Sequence, residues 1–196
     1  MAQEKIGTLI RGLRLERGLT QRTLGDAVGV GDKAISKWER GQGCPDVSLL
    51  AALSRVLGVN IEQILSGDLP PNSMDGGNMK RLRFYRCPVC GSILTSSGGA
   101  QVSCCGRPLQ PLEAHTADHE HSIDAAELED DLYLTFSHPM RKDHFLCFVA
   151  CAALDRVLLV RLSPEQGGEV RFPRLRGRFK LYWCCSEHGL FVKDVT

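Results

Sequence analysis

Residues 18–65 read GLTQRTLGDAVGVGDKAISKWERGQGCPDVSLLAALSRVLGVNIEQIL, and the punctuation of this stretch decides the fold of the first third of the chain. Thr20 stands where a side-chain oxygen caps a helix from Gln21 to about Val28, and Gly29 supplies the stop. Ala34, Ile35 and Trp38 recur at helical spacing, so a further helix is expected from Asp32 to about Arg40, ended by Gly41. Asp46 is placed to cap a segment whose Leu49, Leu50, Leu53, Val56 and Leu57 share one face before Gly58, and Asn60 to cap a short helix through Leu65. Ahead of these, Ile6, Leu9, Ile10 and Leu13 repeat at i, i+3, i+4 and i+7, which adds a first helix and makes five.

Outward from that module the composition changes. SGDLPPNSMDGGNMKRLRF, starting at Ser66, combines paired prolines, paired glycines, Asn, Ser and Asp, a make-up that buries too little apolar surface to order itself. Beyond it the apolar period drops to two in LYLTF (132–136), FLCFVAC (145–151), RVLLVRL (156–162) and KLYWCC (180–185), separated by Gly, Pro and charged turns. The expected fold class is therefore multidomain α + β. A helical domain spans 1–67 and a linker 68–83; a cysteine-rich knuckle follows at 84–110 and an all-β domain at 111–196.

The totals set limits. The 196 residues suffice for two modest cores, and 43% apolar with 24% charged residues is ordinary for a globular chain. No apolar run approaches the roughly 18 residues that span a bilayer, and the first residues are charged where a signal peptide is apolar; no membrane partner and a cytoplasmic location are expected. A formal charge of +1 gives no global field for nucleic acid, so any DNA contact must come from a local basic face. Nine cysteines without a secretory signal point to metal ligation rather than a disulfide scaffold.

Two constellations carry that chemistry. Cys87 and Cys90 form a C-x-x-C turn before Gly91, and Cys104 with Cys105 a second turn before Gly106; two such knuckles can present four thiolates to one ion. Adjacent cysteines normally point to opposite sides, so both ligate only if the backbone between them opens. Iron and zinc fit four thiolates equally well. Downstream, His138 and His144 flank a Pro-Met turn, and Cys185 precedes His188 by three residues. Cys184, its neighbour on a strand, is expected to point away; Cys147 and Cys151 are expected to share one buried face, and Cys44 to be an inert thiol.

Residues 18–65 resemble the phage-repressor-like (XRE) helix-turn-helix family. The resemblance implies a homodimer on double-stranded DNA, with Gln21 at a phosphate, Asp32, Lys33, Ser36 and Lys37 offered to bases, and Arg40 near the backbone. In this chain Gly31 stands where that family often carries a capping Ser or Thr. The four-cysteine stretch resembles the desulforedoxin knuckle, and residues 108–195 resemble the catalytic domain of superoxide reductase, so that together they resemble desulfoferrodoxin.

That second resemblance implies an immunoglobulin-like sandwich and an iron held by His121, His138, His144, His188 and Cys185, open on one side to superoxide or a related small oxidant. It also implies an electron-donor protein. His119 is the alternative to His121 as the loop ligand, and His115 is read as surface. The family's loop lysine, which attracts the anion, is Glu120 here, so the charge beside the open position is reversed. Two readings follow for function: a redox-sensing transcriptional regulator, or a superoxide reductase tethered to DNA.

Overall fold

The computed structural model describes residues 2–69 and 79–195, and the chain divides near residue 71 into two compact units. Residues 70–78, within the expected linker, lie outside the described residues. The linker's expected end is structured: a 3-10 turn at Met79–Arg81 leads directly into strand at Arg83. Among the described residues no helix is long and apolar enough to cross a membrane.

The first unit is five helices: α1 Ala2–Glu16, α2 Gln21–Val28, α3 Asp32–Glu39, α4 Val47–Leu57 and α5 Ile61–Ser66. Their ends follow the cap chemistry. Thr20 Oγ1 accepts from the Thr23 N–H at 3.0 Å, Asp46 Oδ1 from that of Ser48 at 2.9 Å, and Gly29 and Gly58 close α2 and α4 in the left-handed region. Gly31 gives α3 no side-chain cap. Asn60 differs from expectation. It sits at the N-cap of α5 with extended backbone, but its side chain makes no capping bond, and its carbonyl alone receives the Gln63 and Ile64 N–H groups. Ile10, Leu24, Ile35, Leu53 and Ile64 are fully buried at the centre of this unit, with Trp38 at its side.

The second unit is β-rich. β1 (Arg83–Arg86) pairs with β2 (Ile93–Ser96), and β3 (Val102–Cys104) with β4 (Arg107–Leu109), as two small hairpins. After β5 (Ala114–His115) come β6 (Ile123–Leu128), β7 (Asp131–Phe136), β8 (Leu146–Ala152), β9 (Val157–Arg161), β10 (Glu169–Pro173), β11 (Phe179–Cys185) and β12 (Gly189–Val195). They form a three-stranded sheet, β10-β7-β6, and a five-stranded sheet, β5-β12-β11-β8-β9. Alternate residues of both sheets, among them Leu134, Phe172, Val149, Leu181 and Trp183, enclose one core.

One expectation from strand parity is corrected. On β8 and β11 the register runs Phe148 opposite Cys184 and then Leu146 opposite Cys185, which leaves Cys147 as an extra residue in a β-bulge. The bulge turns Cys147 to the far face, where it packs with Cys184 and Phe148, while Cys151 stays in the main core. The two cysteines are both buried but do not share a face.

Candidate functional site

The four knuckle cysteines converge. The β1–β2 turn is fixed by Cys87 N–H to Ser92 O and Gly91 N–H to Cys87 O, both 2.9 Å, with Gly91 at φ 68°. The β3–β4 turn places Cys105 at φ 50°, a left-handed value for a residue with a side chain, followed by Gly106 at 73°. That conformation opens the angle between adjacent cysteines and lets both thiols face inward. All four sulfurs lie within 4.8 Å of one another, with Cys90–Cys104 at 3.5 Å and Cys104–Cys105 at 4.0 Å. A tetrahedral ion with sulfur at about 2.3 Å needs sulfurs roughly 3.8 Å apart, so the set fits such an ion with small adjustments. Hydrogen bonds from Ser92 pull the Cys90 thiol down to about 6, while the neighbouring Cys90 and Cys87 push Cys105 up to about 12. Four thiolates so close cannot all ionise without a cation among them.

The second constellation joins four loops and strand ends of the sandwich. His121 follows the loop after β5, His138 and His144 belong to the β7–β8 connection, and Cys185 with His188 to the β11–β12 turn. Neighbouring imidazole centroids stand 4.7 Å (His121–His188), 5.0 Å (His188–His144), 4.5 Å (His144–His138) and 5.3 Å (His138–His121) apart, while the His121–His144 diagonal is 6.3 Å. The four rings thus form a closed quadrilateral. His121 Nε2 and His188 Nδ1 face each other at 3.0 Å, and Cys185 Sγ lies 3.5 Å from His188 Nδ1. The ligand atoms of His121, His144, Cys185 and His188 fall within 4.8 Å of one another; His138 joins through its ring contacts.

Three nitrogens test whether this cluster fits an ion. Both ring nitrogens of His138, and Nε2 of His144, are buried without a hydrogen-bond partner. Leaving such groups unpaired costs about 1–3 kcal/mol each, a cost that coordination to a cation removes. Burial, followed by the neighbouring His144, His121 and His188, lowers His138 to about 4, so the ring is neutral and its lone pair available. The residues fit a metal with imidazole and thiolate ligands.

Several supporting residues are not signalled by the sequence. Asp118 Oδ1 accepts from His121 Nδ1 at 2.6 Å, which leaves Nε2 as the free lone pair. Trp183 Nε1 donates to the His121 carbonyl at 2.7 Å, and the Glu187 N–H approaches Cys185 Sγ at 3.5 Å. Arg141 N–H to His144 O at 2.9 Å closes the loop between the two histidines. His119, Glu120, Ser122, Ser137 and Pro139 rim a pocket floored by His121, His138 and His144. His119 and Glu120 are exposed at this rim, whereas His121 is buried; His115 is exposed on β5. Cys184 packs on the opposite side of β11 from Cys185.

In the helical unit, Asp32, Lys33 and Lys37 are exposed along α3, Ser36 is half-buried and Arg40 exposed, its Nε donating to the Ser36 carbonyl. Asp32 Oδ1 accepts from the Lys33 N–H. The Gln21 side chain lies at the start of α2 and donates to Glu39 Oε2 at 2.8 Å; Glu39 also receives Arg14 through two hydrogen bonds. Cys44 is exposed in the turn before α4.

Comparison with known proteins divides at the same place. A helix-turn-helix family model matches residues 10–64. Repressor protein C2 of Salmonella phage P22 is 39% identical over 69 residues, 35% of this chain and 32% of the repressor. The desulfoferrodoxin of Syntrophotalea carbinolica is 29% identical over 123 residues, which is 59% of this chain and 98% of that protein. The crystal structure of the superoxide reductase from Treponema pallidum superposes with a TM-score of 0.51 at 18% identity, covering 57% of this chain and 96% of that one. The chain joins an N-terminal XRE-type helix-turn-helix domain to a desulfoferrodoxin-homologous region with the superoxide reductase fold.

Proposed function

We propose that this chain is a DNA-binding transcriptional regulator whose desulfoferrodoxin-like region holds iron at His121, His138, His144, His188 and Cys185 and senses superoxide or a related small oxidant. The observation that carries the reading is the quadrilateral of imidazoles with buried, unpartnered nitrogens on His138 and His144 beside the Cys185 thiol. Imidazole and thiolate ligands suit iron, and the homology to desulfoferrodoxins favours it over other ions. Bound iron would supply one-electron transfer to the oxidant.

The chain's own residues do the rest. Asp118 fixes the His121 tautomer, Trp183 anchors its backbone, and the Glu187 N–H draws charge from the Cys185 sulfur. The pocket floored by three imidazoles admits a small molecule past Glu120. Cys87, Cys90, Cys104 and Cys105 hold a second ion, iron or zinc. On α3, Asp32, Lys33, Ser36 and Lys37 face the major groove, with Gln21 and Arg40 towards the phosphates, and two copies are needed to read two half-sites.

The test combines metal and DNA. Anaerobically purified protein should contain iron that is lost on His144→Ala, and its affinity for operator DNA should differ between reduced and oxidant-treated samples. Absence of iron, or of salt-dependent DNA binding, would sink the proposal. The open pocket favours one second reading, a superoxide reductase held on DNA and re-reduced by a donor protein. Sustained turnover of superoxide without change in DNA affinity would select it.

A further inference from the structure

The side of β11 away from Cys185 carries a thiol arrangement that neither metal site uses. Because of the bulge in β8, Cys147 turns to the same face as Cys184, and the two pack with Phe84, Phe148 and Leu190. Only 4% of Cys147 and 1% of Cys184 is exposed, and their thiols hydrogen-bond to each other. Arg86 and Arg161 bring positive charge to Cys147. Without the bulge, strand parity would send Cys147 into the main core beside Cys151; the extra residue is what makes the pair.

We propose that Cys147 and Cys184 are a reversible dithiol–disulfide couple, oxidised by hydrogen peroxide or another small hydroperoxide. Opposed residues of antiparallel strands have Cα atoms roughly 4.5–5.5 Å apart, within the range of about 4.4–6.8 Å that a disulfide bridges. The Cys147 sulfur attacks one peroxide oxygen and the O–O bond breaks. The leaving hydroxide takes up the thiol proton as water, and a sulfenic acid remains on Cys147. The Cys184 sulfur then displaces the sulfenic hydroxyl, the S–S bond forms, and the hydroxyl leaves with the Cys184 proton as a second water. Two thiols lose two electrons and one peroxide becomes two waters. The guanidinium groups of Arg86 and Arg161 stabilise the charge on the attacking sulfur. The bond would tie β8 to β11 at the residue preceding Cys185, independently of whether Cys185 holds a metal.

Full-length protein treated with hydrogen peroxide, alkylated with N-ethylmaleimide in denaturant and digested with trypsin tests this directly. The expected product is residues 143–156 linked to 181–193, with fragmentation placing the link between Cys147 and Cys184 and dithiothreitol dissolving it. In Cys184→Ala, dimedone should trap a sulfenic acid on Cys147, and the linked peptide should be lost. Recovery of both residues as alkylated thiols under peroxide that oxidises Cys104 and Cys105 would overturn the proposal. So would a link that maps to Cys151 or Cys185. The wild-type peptide map decides the matter even if the variant does not fold.

Discussion

His121 Nδ1 donates a 2.6 Å hydrogen bond to Asp118, three residues earlier in the same loop, and Nε2 of the same ring faces His188 at 3.0 Å. One contact therefore decides which nitrogen of a buried ring is left to bind. Replacing Asp118 by Ala frees the ring to rotate and to exchange tautomers, and metal affinity at the histidine site should fall about 10- to 100-fold. Competition against a chelator of known affinity measures this, with near-ultraviolet circular dichroism as the check on folding. Unchanged affinity would show that the other three imidazoles and the thiol define the site without help from Asp118.

The cysteine knuckle should depend on its ion more than the sandwich does. Its own core is only Tyr85, Cys87 and Leu109, too little apolar surface to hold two hairpins. Phe84, by contrast, stacks on Phe148 at 5.3 Å and belongs to the sandwich. Removal of metal from the four cysteines should raise amide exchange between residues 87 and 106 while β8 and β11 stay protected. Cys105→Ser should produce the same pattern. Full metal stoichiometry after loss of two of the four cysteines would defeat the assignment.

What the sequence revealed and what it hid separate along physical lines. Helix limits were legible because Thr20, Asp46, Gly29 and Gly58 act locally, each on its own turn. The knuckle was legible because ligand spacing is a local constraint. His121 became readable only through resemblance, since nothing near it distinguishes it from His119. Asp118, Trp183 and the Arg14–Glu39–Gln21 network were hidden because their partners are chosen by tertiary placement, as in the 25-residue separation of Arg14 and Glu39. The Cys147 bulge was hidden for a sharper reason. One unpaired residue inverts every later side chain, and periodicity alone cannot show where the insertion falls.

Glu39 ties α3 to α1 and α2. Burial by itself would raise its carboxyl, but the hydrogen bonds from Arg14 and Gln21 and the Arg14 charge overcome this and hold it below the ordinary range. A group depressed in the folded state contributes stability that is fully present above its unfolded pKa, about 4, and is lost as pH falls through the folded value. Helical stability of the first unit should therefore decline below about pH 4, followed by circular dichroism at 222 nm. Glu39→Gln should flatten that dependence. Glu39→Ala, which leaves Arg14 without its partner, should cost about 3 kcal/mol.

Exposed Lys37 lies one helical turn from exposed Lys33 on α3. If Lys37 makes a good base contact, Lys37→Ala should weaken specific binding by about 1–3 kcal/mol and relax preference at one base position. Gln21→Ala should weaken binding evenly across sequences, and through its bond to Glu39 should also lower the thermal midpoint. Fluorescence anisotropy on operator and scrambled duplexes, at two salt concentrations, separates these effects. Equal loss on both duplexes for Lys37→Ala would place that residue on the phosphates.

Glu120 is exposed at the rim of the pocket floored by His121, His138 and His144, one residue before the buried ring of His121. A carboxylate at that rim repels an anion, where a lysine would draw it in. The change therefore removes attraction and adds repulsion together. In the iron-loaded protein, Glu120→Lys should react with superoxide faster than wild type, by about tenfold or more at low ionic strength. The difference should shrink as salt is raised past about 0.15 M, where charges at the rim are screened within roughly 8 Å. Glu120→Gln should fall between the two, because it removes the repulsion and adds no attraction. Pulse radiolysis gives the rate constants for all three under matched salt. Identical rates would show that Glu120 does not govern access to the histidine floor. A rate gain that persists at high salt would point to a contact made by the lysine inside the pocket rather than to steering from its rim.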